Sequence, residues 1–131
     1  MNKNSMKRGE KEILESRLVT VPNQYPDRDY EIDVTLPEFT CLCPISGYPD
    51  FGVIHVNYVP DRSIIELKSL KLYINKFRND YMYHEAAVNK ILDDLAGACK
   101  PRRMTVTGDF NPRGNVKTIV KAEYRETKGN S

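Results

Sequence analysis

The chain has 131 residues, with 20 lysine and arginine residues against 18 aspartate and glutamate residues, 40% hydrophobic residues and three cysteines. This length fits one domain with a modest core, and the mixed composition excludes collagen-like, disulfide-scaffold and wholly disordered classes. A net charge of +2 argues against a protein whose main task is to coat nucleic acid. The sequence has no long apolar stretch and no secretory signal, and its odd cysteine count favours reduced thiols. We therefore expect a cytoplasmic protein.

The predicted elements occupy one domain over residues 26–126. Residues 1–25 are expected to form an N-terminal arm and an extended lead-in, because the first 17 are charged and weakly patterned and the rest contain prolines and turn residues. Residues 127–131 are expected to form a frayed C-terminus.

The first part of the domain is predicted to contain two strands joined by a shaped loop. Apolar and polar residues alternate from Ile32 to Leu36 and again from Phe51 to Val59, which is the pattern of half-buried strands. The intervening residues 37–50 contain Pro37, Pro44, Gly47 and Pro49, which interrupt regular structure. A turn follows the second strand, and residues 64–67 are expected to be extended.

Helical spacing of apolar residues then predicts two helices, separated near residues 79–80, with Gly97 and Pro101 ending the second. Alternation over residues 104–110 and 116–124, on either side of turn residues 111–115, predicts a second hairpin. The order is ββααββ, an α+β fold whose antiparallel sheet carries two helices on one face. Subunits whose sheets join into a barrel would protect the edge strands.

The loop over residues 37–50 contains two residues that could take part in catalysis, Cys43 and Asp50. A cysteine nucleophile acts as a thiolate and needs partial exposure on a rigid mount, which the surrounding prolines favour. Asp50 is close enough in sequence to approach Cys43, so the two could act as nucleophile and proton donor. Spacing leaves the alternative open, in which Cys43 is a small buried hydrophobe and Asp50 a turn cap.

Two further segments could bind ligands. His84 and Glu85 begin the second helix, and a carboxylate there could accept two N–H donors from a guanine-like edge, although it could also only complement the helix dipole. Lys68 and Lys71 lie one helical turn apart and could hold phosphates, unless they belong to a solvated helix face. Neither a Rossmann glycine motif nor a P-loop motif is present.

A zinc site is a further alternative. Cys41, Cys43, Cys99 and a histidine could supply ligands, but the Cys-x-Cys pair lacks a second ligand pair at a finger-like spacing. We therefore expect no metal.

Several motifs occur in a characteristic order: PEFT at 37–40, LCP at 42–44, Gly47, PDF at 49–51, ELKSLKLY at 66–73, FRN at 77–79, HE at 84–85 and PRG at 112–114. Over residues 28–125 the chain resembles the NADPH-dependent 7-cyano-7-deazaguanine (preQ0) reductases of queuosine biosynthesis, in their short single-module form. The departures are Cys41 where serine is more frequent, Tyr48 where glutamine is usual, and Asn115 where glycine is usual.

The resemblance implies a tunnelling fold, in which subunits form a homo-oligomeric barrel with active sites at the interfaces. It implies reduction of the preQ0 nitrile to the amine of preQ1 by two NADPH through a cysteine thioimide, without direct nucleic-acid or membrane binding. Cys43 would be the nucleophile and Asp50 the proton donor. The implied substrate-binding residues are Ile65, Glu66, Leu67, His84 and Glu85, and the implied cofactor-binding residues are Lys68, Ser69, Lys71, Arg113 and Gly114.

Two other functions remain as alternatives. One is a zinc-dependent, GTP cyclohydrolase-like enzyme of the tunnelling fold that acts on a purine or pterin. The other is an RNA-binding module that uses the basic residues Lys68, Lys71, Lys76 and Arg78, against which the near-neutral charge argues.

Overall fold

The computed structural model describes residues 5–127, so the predicted frayed end lies almost entirely outside the described residues. The helices and strands, in chain order, are α1 (Arg8–Glu15), β1 (Thr20–Pro22), β2 (Ile32–Leu42), β3 (Pro49–Val59), β4 (Ser63–Ile65), α2 (Leu67–Asn75), a 3-10 helix (Lys76–Asn79), α3 (His84–Cys99), β5 (Arg103–Arg113) and β6 (Val116–Arg125).

The main sheet is antiparallel and has the strand order β2-β3-β5-β6. A second, two-stranded sheet pairs β1 with β4. The predicted α+β class and the antiparallel pairing are therefore confirmed. The full element order is longer than ββααββ, because α1 and β1 precede the main sheet and β4 lies between β3 and α2.

The core forms between one face of the main sheet and the helices. Alternate residues of β3, including Ile54 and Val56, are almost completely buried. They belong to one buried cluster with the apolar stripe of α3, which includes Val88 and Ile91. Full burial of such a side chain contributes about 1.5–3 kcal/mol to the free energy of unfolding. The apolar side chains on one face of the strands and on one stripe of α3 therefore stabilise the same layer.

The predicted loop over residues 37–50 was too long. β2 continues through Leu42, and the connection to β3 comprises only residues 43–48. The strand accommodates Pro37 because the β2–β3 register shifts between Leu36 and Phe39. A proline, which has no N–H to donate, is tolerated at such an irregularity of an edge strand.

The predicted helix end at Gly97 was also wrong. α3 continues to Cys99, and Lys100 ends it in the left-handed conformation with φ 47°, its N–H donating to the Ala96 carbonyl. Gly97 stays helical although glycine is less favourable than alanine inside a helix, and Pro101 cannot extend the helix.

The segment before residue 26, predicted as an arm and an extended lead-in, contains a helix and a short strand that the weak sequence pattern did not predict. Residues 8–15 form α1, none of whose residues is buried, and residues 20–22 form β1. The Lys76 Nζ atom donates to the Ser16 carbonyl at 2.6 Å, which ties the chain after α1 to the 3-10 helix. No helix within residues 5–127 is long and apolar enough to cross a membrane.

Candidate active site

A cavity of about 500 Å³ lies where the β2–β3 loop, the start of α3 and the β5–β6 turn meet. It contains six residues that the sequence pointed to: Cys43, Asp50, His84, Glu85, Arg113 and Gly114. The rest of its lining comes from Pro44, Ile45, Ser46, Met82, Tyr83, Asn111, Val116 and Thr118. The structure therefore brings together residues that are up to 71 positions apart in the chain.

The loop folds around Cys43 and stabilises its thiolate. The Cys43 carbonyl accepts from the Gly47 N–H at 2.9 Å, and Gly47 adopts a φ of 76°, which glycine tolerates. The Ser46 hydroxyl is the main stabiliser of the thiolate, followed by the backbone N–H groups of Ser46 and Ile45. Together they lower the Cys43 pKa from 9.0 to about 7. Near neutral pH the thiol is therefore ready to act as a nucleophile.

The other two cysteines are in the opposite environment. Cys41 and Cys99 are buried, and burial raises the pKa of each thiol from 9.0 to about 11. Cys99 also ends α3, whose 15 helical steps from His84 place it roughly 22 Å from the pocket end of the helix. Cys43 is thus the thiol of this chain that can ionise near neutral pH.

Asp50 lies at the floor of the cavity and is only 5% exposed. Its Oδ1 atom accepts from Arg113 Nη1 at 2.6 Å, and its Oδ2 atom lies 3.3 Å from His84 Nε2. The His84 ring stacks on Phe110 with their centroids 3.9 Å apart and their planes 5° from parallel. The carboxylate is therefore held between the Arg113 guanidinium and the His84 imidazole.

Backbone hydrogen bonds attach the start of α3 to the cysteine loop. The Leu42 N–H donates to the Asp80 carbonyl, and the Met82 N–H donates to the Leu42 carbonyl, both at 2.9 Å. This short parallel bridge places His84 beside Asp50 without requiring the two residues to be close in sequence.

The second group of predicted ligand-binding residues lies around the start of α2. Glu66 caps this helix, its carboxylate accepting from the Lys68 N–H at 2.9 Å and the Ser69 N–H at 2.7 Å. These N–H groups lower the Glu66 pKa. Ile65 is buried in the core, and Ser69 is buried and bonded to the backbone of Val19. The exposed side chains of this segment are those of Leu67, Lys68 and Lys71.

This second group does not meet the cavity within one protomer. The Ile65 N–H donates to the Tyr58 hydroxyl at 3.1 Å, so the segment lies at the β3 end where Tyr58 is found. Tyr58 is eight residues along β3 from Asp50, which corresponds to roughly 26 Å of strand. The predicted substrate and cofactor residues therefore fall into two sets at opposite ends of the sheet.

A family profile described as "QueF-like protein" matches residues 49–129. The chain belongs to the QueF-like family. It is 56% identical over 121 residues to an NADPH-dependent 7-cyano-7-deazaguanine reductase of Microcystis aeruginosa, covering 92% of each chain. It is 54% identical over 129 residues to the protein of the same name from Aquifex aeolicus, covering 98% of this chain and all of the other.

Among solved structures, this QueF-like chain is similar to the archaeosine synthase QueF-Like in its apo form, with a TM-score of 0.67. The two chains are 22% identical, and the match covers 71% of this chain and 91% of the other. At this identity the likeness supports the shared fold.

Two side chains that shape the QueF-like site were not singled out from the sequence. Ser46 stabilises the thiolate, and its position three residues after Cys43 is the spacing at which a hydroxyl reaches back over a turn. Phe110, whose ring stacks on that of His84, was predicted only as part of a strand. Within residues 5–127, no group of three or more histidine, cysteine or acidic residues could hold a metal ion.

Proposed function

We propose that this chain is an NADPH-dependent 7-cyano-7-deazaguanine reductase, which reduces the nitrile of preQ0 to the primary amine of preQ1 during queuosine synthesis, in the cytoplasm. The observation that carries the proposal is a single activated thiol, Cys43, in a cavity that also holds a buried carboxylate, Asp50. Relatives that are 52–56% identical over almost the whole chain carry the name of this activity.

The residues suit covalent activation of a nitrile. The Cys43 thiolate attacks the nitrile carbon while the nitrogen takes up a proton from the Asp50 side of the cavity, giving a thioimide on the Sγ atom. The thioimide carbon accepts hydride more readily than the nitrile carbon does. NADPH, when bound, supplies the two hydrides that the conversion of nitrile to amine requires.

The same side chains account for the cleavage of the C–S bond and for the second proton. After the first reduction the C–S bond breaks, which releases Cys43 as a thiolate and leaves an imine. Reduction of the imine consumes one more proton, and the Asp50–His84 pair lies where that proton is needed. The overall balance is one nitrile, two hydrides and two protons for one amine.

The predicted ligand-binding residues fit a deazaguanine and a dinucleotide phosphate. Glu85 is an exposed carboxylate on the cavity wall and could accept two N–H groups of the base. Lys68 and Lys71 are exposed on the first turns of α2, where their two positive charges favour a phosphate. Arg113 and Gly114 line the cavity itself, whereas the Ser69 hydroxyl is occupied by backbone contacts.

A complete site then needs two subunits, with the Cys43 cavity of one facing the Glu66 segment of the next. β2 and β6 are the outer strands of the main sheet and can pair between subunits to close a barrel. The rim of the cavity also exposes large apolar side chains, including Ile45 and Val116, which are 81% and 65% exposed. Such a patch is typical of an interface.

The decisive experiment is mass spectrometry of the purified protein mixed with preQ0 in the absence of NADPH. The expected result is an adduct of one preQ0 on the peptide that contains Cys43, with preQ0-dependent oxidation of NADPH when both substrates are present. Cys43→Ala should lose both, while the matched variant Cys41→Ala should keep the adduct. Zinc in the protein together with no preQ0-dependent oxidation would overturn the proposal in favour of a cyclohydrolase-like enzyme.

The shared site is tested by mixing two inactive variants, Cys43→Ala and Glu66→Ala. If the two residues serve the same site from different subunits, random reassembly restores about a quarter of the sites. If they serve one site from the same subunit, the mixture stays inactive.

A further inference from the structure

Arg113 contacts three groups of the cavity, Asp50, Ser46 and Cys43, and it helps to stabilise the Cys43 thiolate. Its Nη1 atom donates to Asp50 Oδ1 at 2.6 Å, and its Nη2 atom donates to Ser46 Oγ at 3.4 Å. The Arg113 side chain is 41% exposed, whereas the Asp50 side chain is only 6% exposed. The guanidinium therefore reaches a buried carboxylate from the solvent side, where an anionic ligand also has access to it.

The ion pair between Arg113 and Asp50 affects how a proton reaches the substrate nitrogen. A guanidinium in contact with a carboxylate stabilises the ionised form over the acid. Reduction of an imine at this site, however, consumes a proton that must come from the Asp50 side. Among the described residues, Arg113 on β5 and His84 on α3 lie within ion-pair distance of Asp50, and the Cys41 thiol on β2 lies close enough to interact with its charge.

We propose that Arg113 couples cofactor binding to proton loading: a cofactor phosphate draws the guanidinium away from Asp50, and the Asp50–His84 pair takes up a proton from solvent. That proton is then transferred to the substrate nitrogen as hydride reaches the carbon. The inference rests on the proposed function, and it makes Arg113 a positioning residue for the proton as well as a ligand for the phosphate.

The Arg113 end of β5 has room for this movement. The β5–β6 register shifts between Phe110 and Arg113, and the next two residues, Gly114 and Asn115, form the turn with φ values of 55° and 70°. Arg113 pairs with Val116 beyond this shift, so it is the last residue of β5 and lies beside an exposed turn. By linkage, the coupling is reciprocal, so a lower pH should strengthen cofactor binding while cofactor binding takes up protons.

The test is calorimetry of NADP⁺ binding to the assembled protein at about pH 7 in buffers of different ionisation enthalpy, which measures proton uptake without turnover. The wild type should take up protons on binding. Asp50→Asn should abolish the uptake and bind NADP⁺ roughly 3- to 10-fold more tightly, because Arg113 is no longer held by a carboxylate. Arg113→Gln should bind more weakly and without uptake.

Arg103→Gln is the matched control, since Arg103 lies on the same strand and pairs with Glu31 away from the cavity. It should preserve both uptake and affinity. As a measurement that needs no variant, the NADP⁺ affinity of the wild type should rise as the pH falls from about 8 to about 6.5.

Proton uptake that persists in Asp50→Asn or in Arg113→Gln, or Asp50→Asn binding NADP⁺ no more tightly than the wild type, would overturn the coupling. The proposed function would survive that result if preQ0 still forms its adduct on Cys43. A wild type that does not bind NADP⁺ would overturn the coupling and the cofactor assignment together.

Discussion

Replacing Ser46 with alanine tests how the loop activates Cys43. The Ser46 hydroxyl is the largest of the contacts that lower the Cys43 pKa from 9.0 to about 7. At about pH 7, these values correspond to a thiolate fraction of about one half with all the contacts present and about one hundredth without any. Ser46→Ala removes the hydroxyl and leaves the backbone N–H groups, so the thiolate fraction should fall several-fold, by at most about 50-fold.

The assay is the rate of alkylation by iodoacetamide as a function of pH, with the labelled residue located by mass spectrometry. Cys41 and Cys99 do not compete near neutral pH, because both are buried and their pKa is about 11. The midpoint of the wild-type profile is expected near pH 7, and the midpoint of Ser46→Ala above it. The two rates should converge at alkaline pH, where the thiol is ionised in both proteins.

The matched control is Ser63→Ala, which removes a hydroxyl that donates to the Cys99 carbonyl at the other end of α3. Its alkylation profile should equal that of the wild type. A Ser46→Ala profile with an unchanged midpoint would show that the hydroxyl does not stabilise the thiolate, and the account of the cysteine loop would then be wrong.

The remaining predictions concern stability. Gly108→Ala would place a Cβ atom 2.6 Å from a Val88 methyl group and should cost about 1–3 kcal/mol in urea unfolding, whereas Gly97→Ala, with nothing within 4 Å, should gain about 0.5–1 kcal/mol; equal effects would contradict the packing described. Thermal melts should show stability falling as pH rises from 9.0 to about 11, because burial raises the pKa of the Cys41 thiol, so the folded state retains a proton that the unfolded state loses; a flat profile would contradict this. Glu66→Ala should lower the midpoint of urea unfolding through loss of the α2 cap, and an unchanged midpoint would mean that the cap contributes nothing.

The parts of the fold that could be predicted are those with a regular local pattern. The alternation over residues 32–36 and 51–59 and the apolar stripe of α3 each identify the side of the element that meets the core. The elements that were missed are short or unburied. α1 buries none of its residues, and β1 has three residues whose partner, β4, lies more than 40 positions away. No local period can identify such elements.

The cysteine loop could be predicted as a site because its members are close in sequence. Cys41 pairs with Asp50 across the β2–β3 hairpin, so a short loop is enough to bring Cys43 and Asp50 to the same cavity. The positions of His84 and Arg113 depend instead on how α3 and the end of β5 pack against that hairpin. Their contacts with Asp50 are tertiary and leave no periodic signal.

The sequence by itself determined the α+β class, the antiparallel hairpins and the motifs of the family, since these depend on side-chain pattern and local order. Only the tertiary structure decided which thiol ionises near neutral pH, because burial raises the pKa of Cys41 and turn hydrogen bonds lower that of Cys43. It also placed Glu66 roughly the length of β3 away from the cavity. The order of the motifs along the chain does not predict this separation, because it depends on how the strands and helices pack.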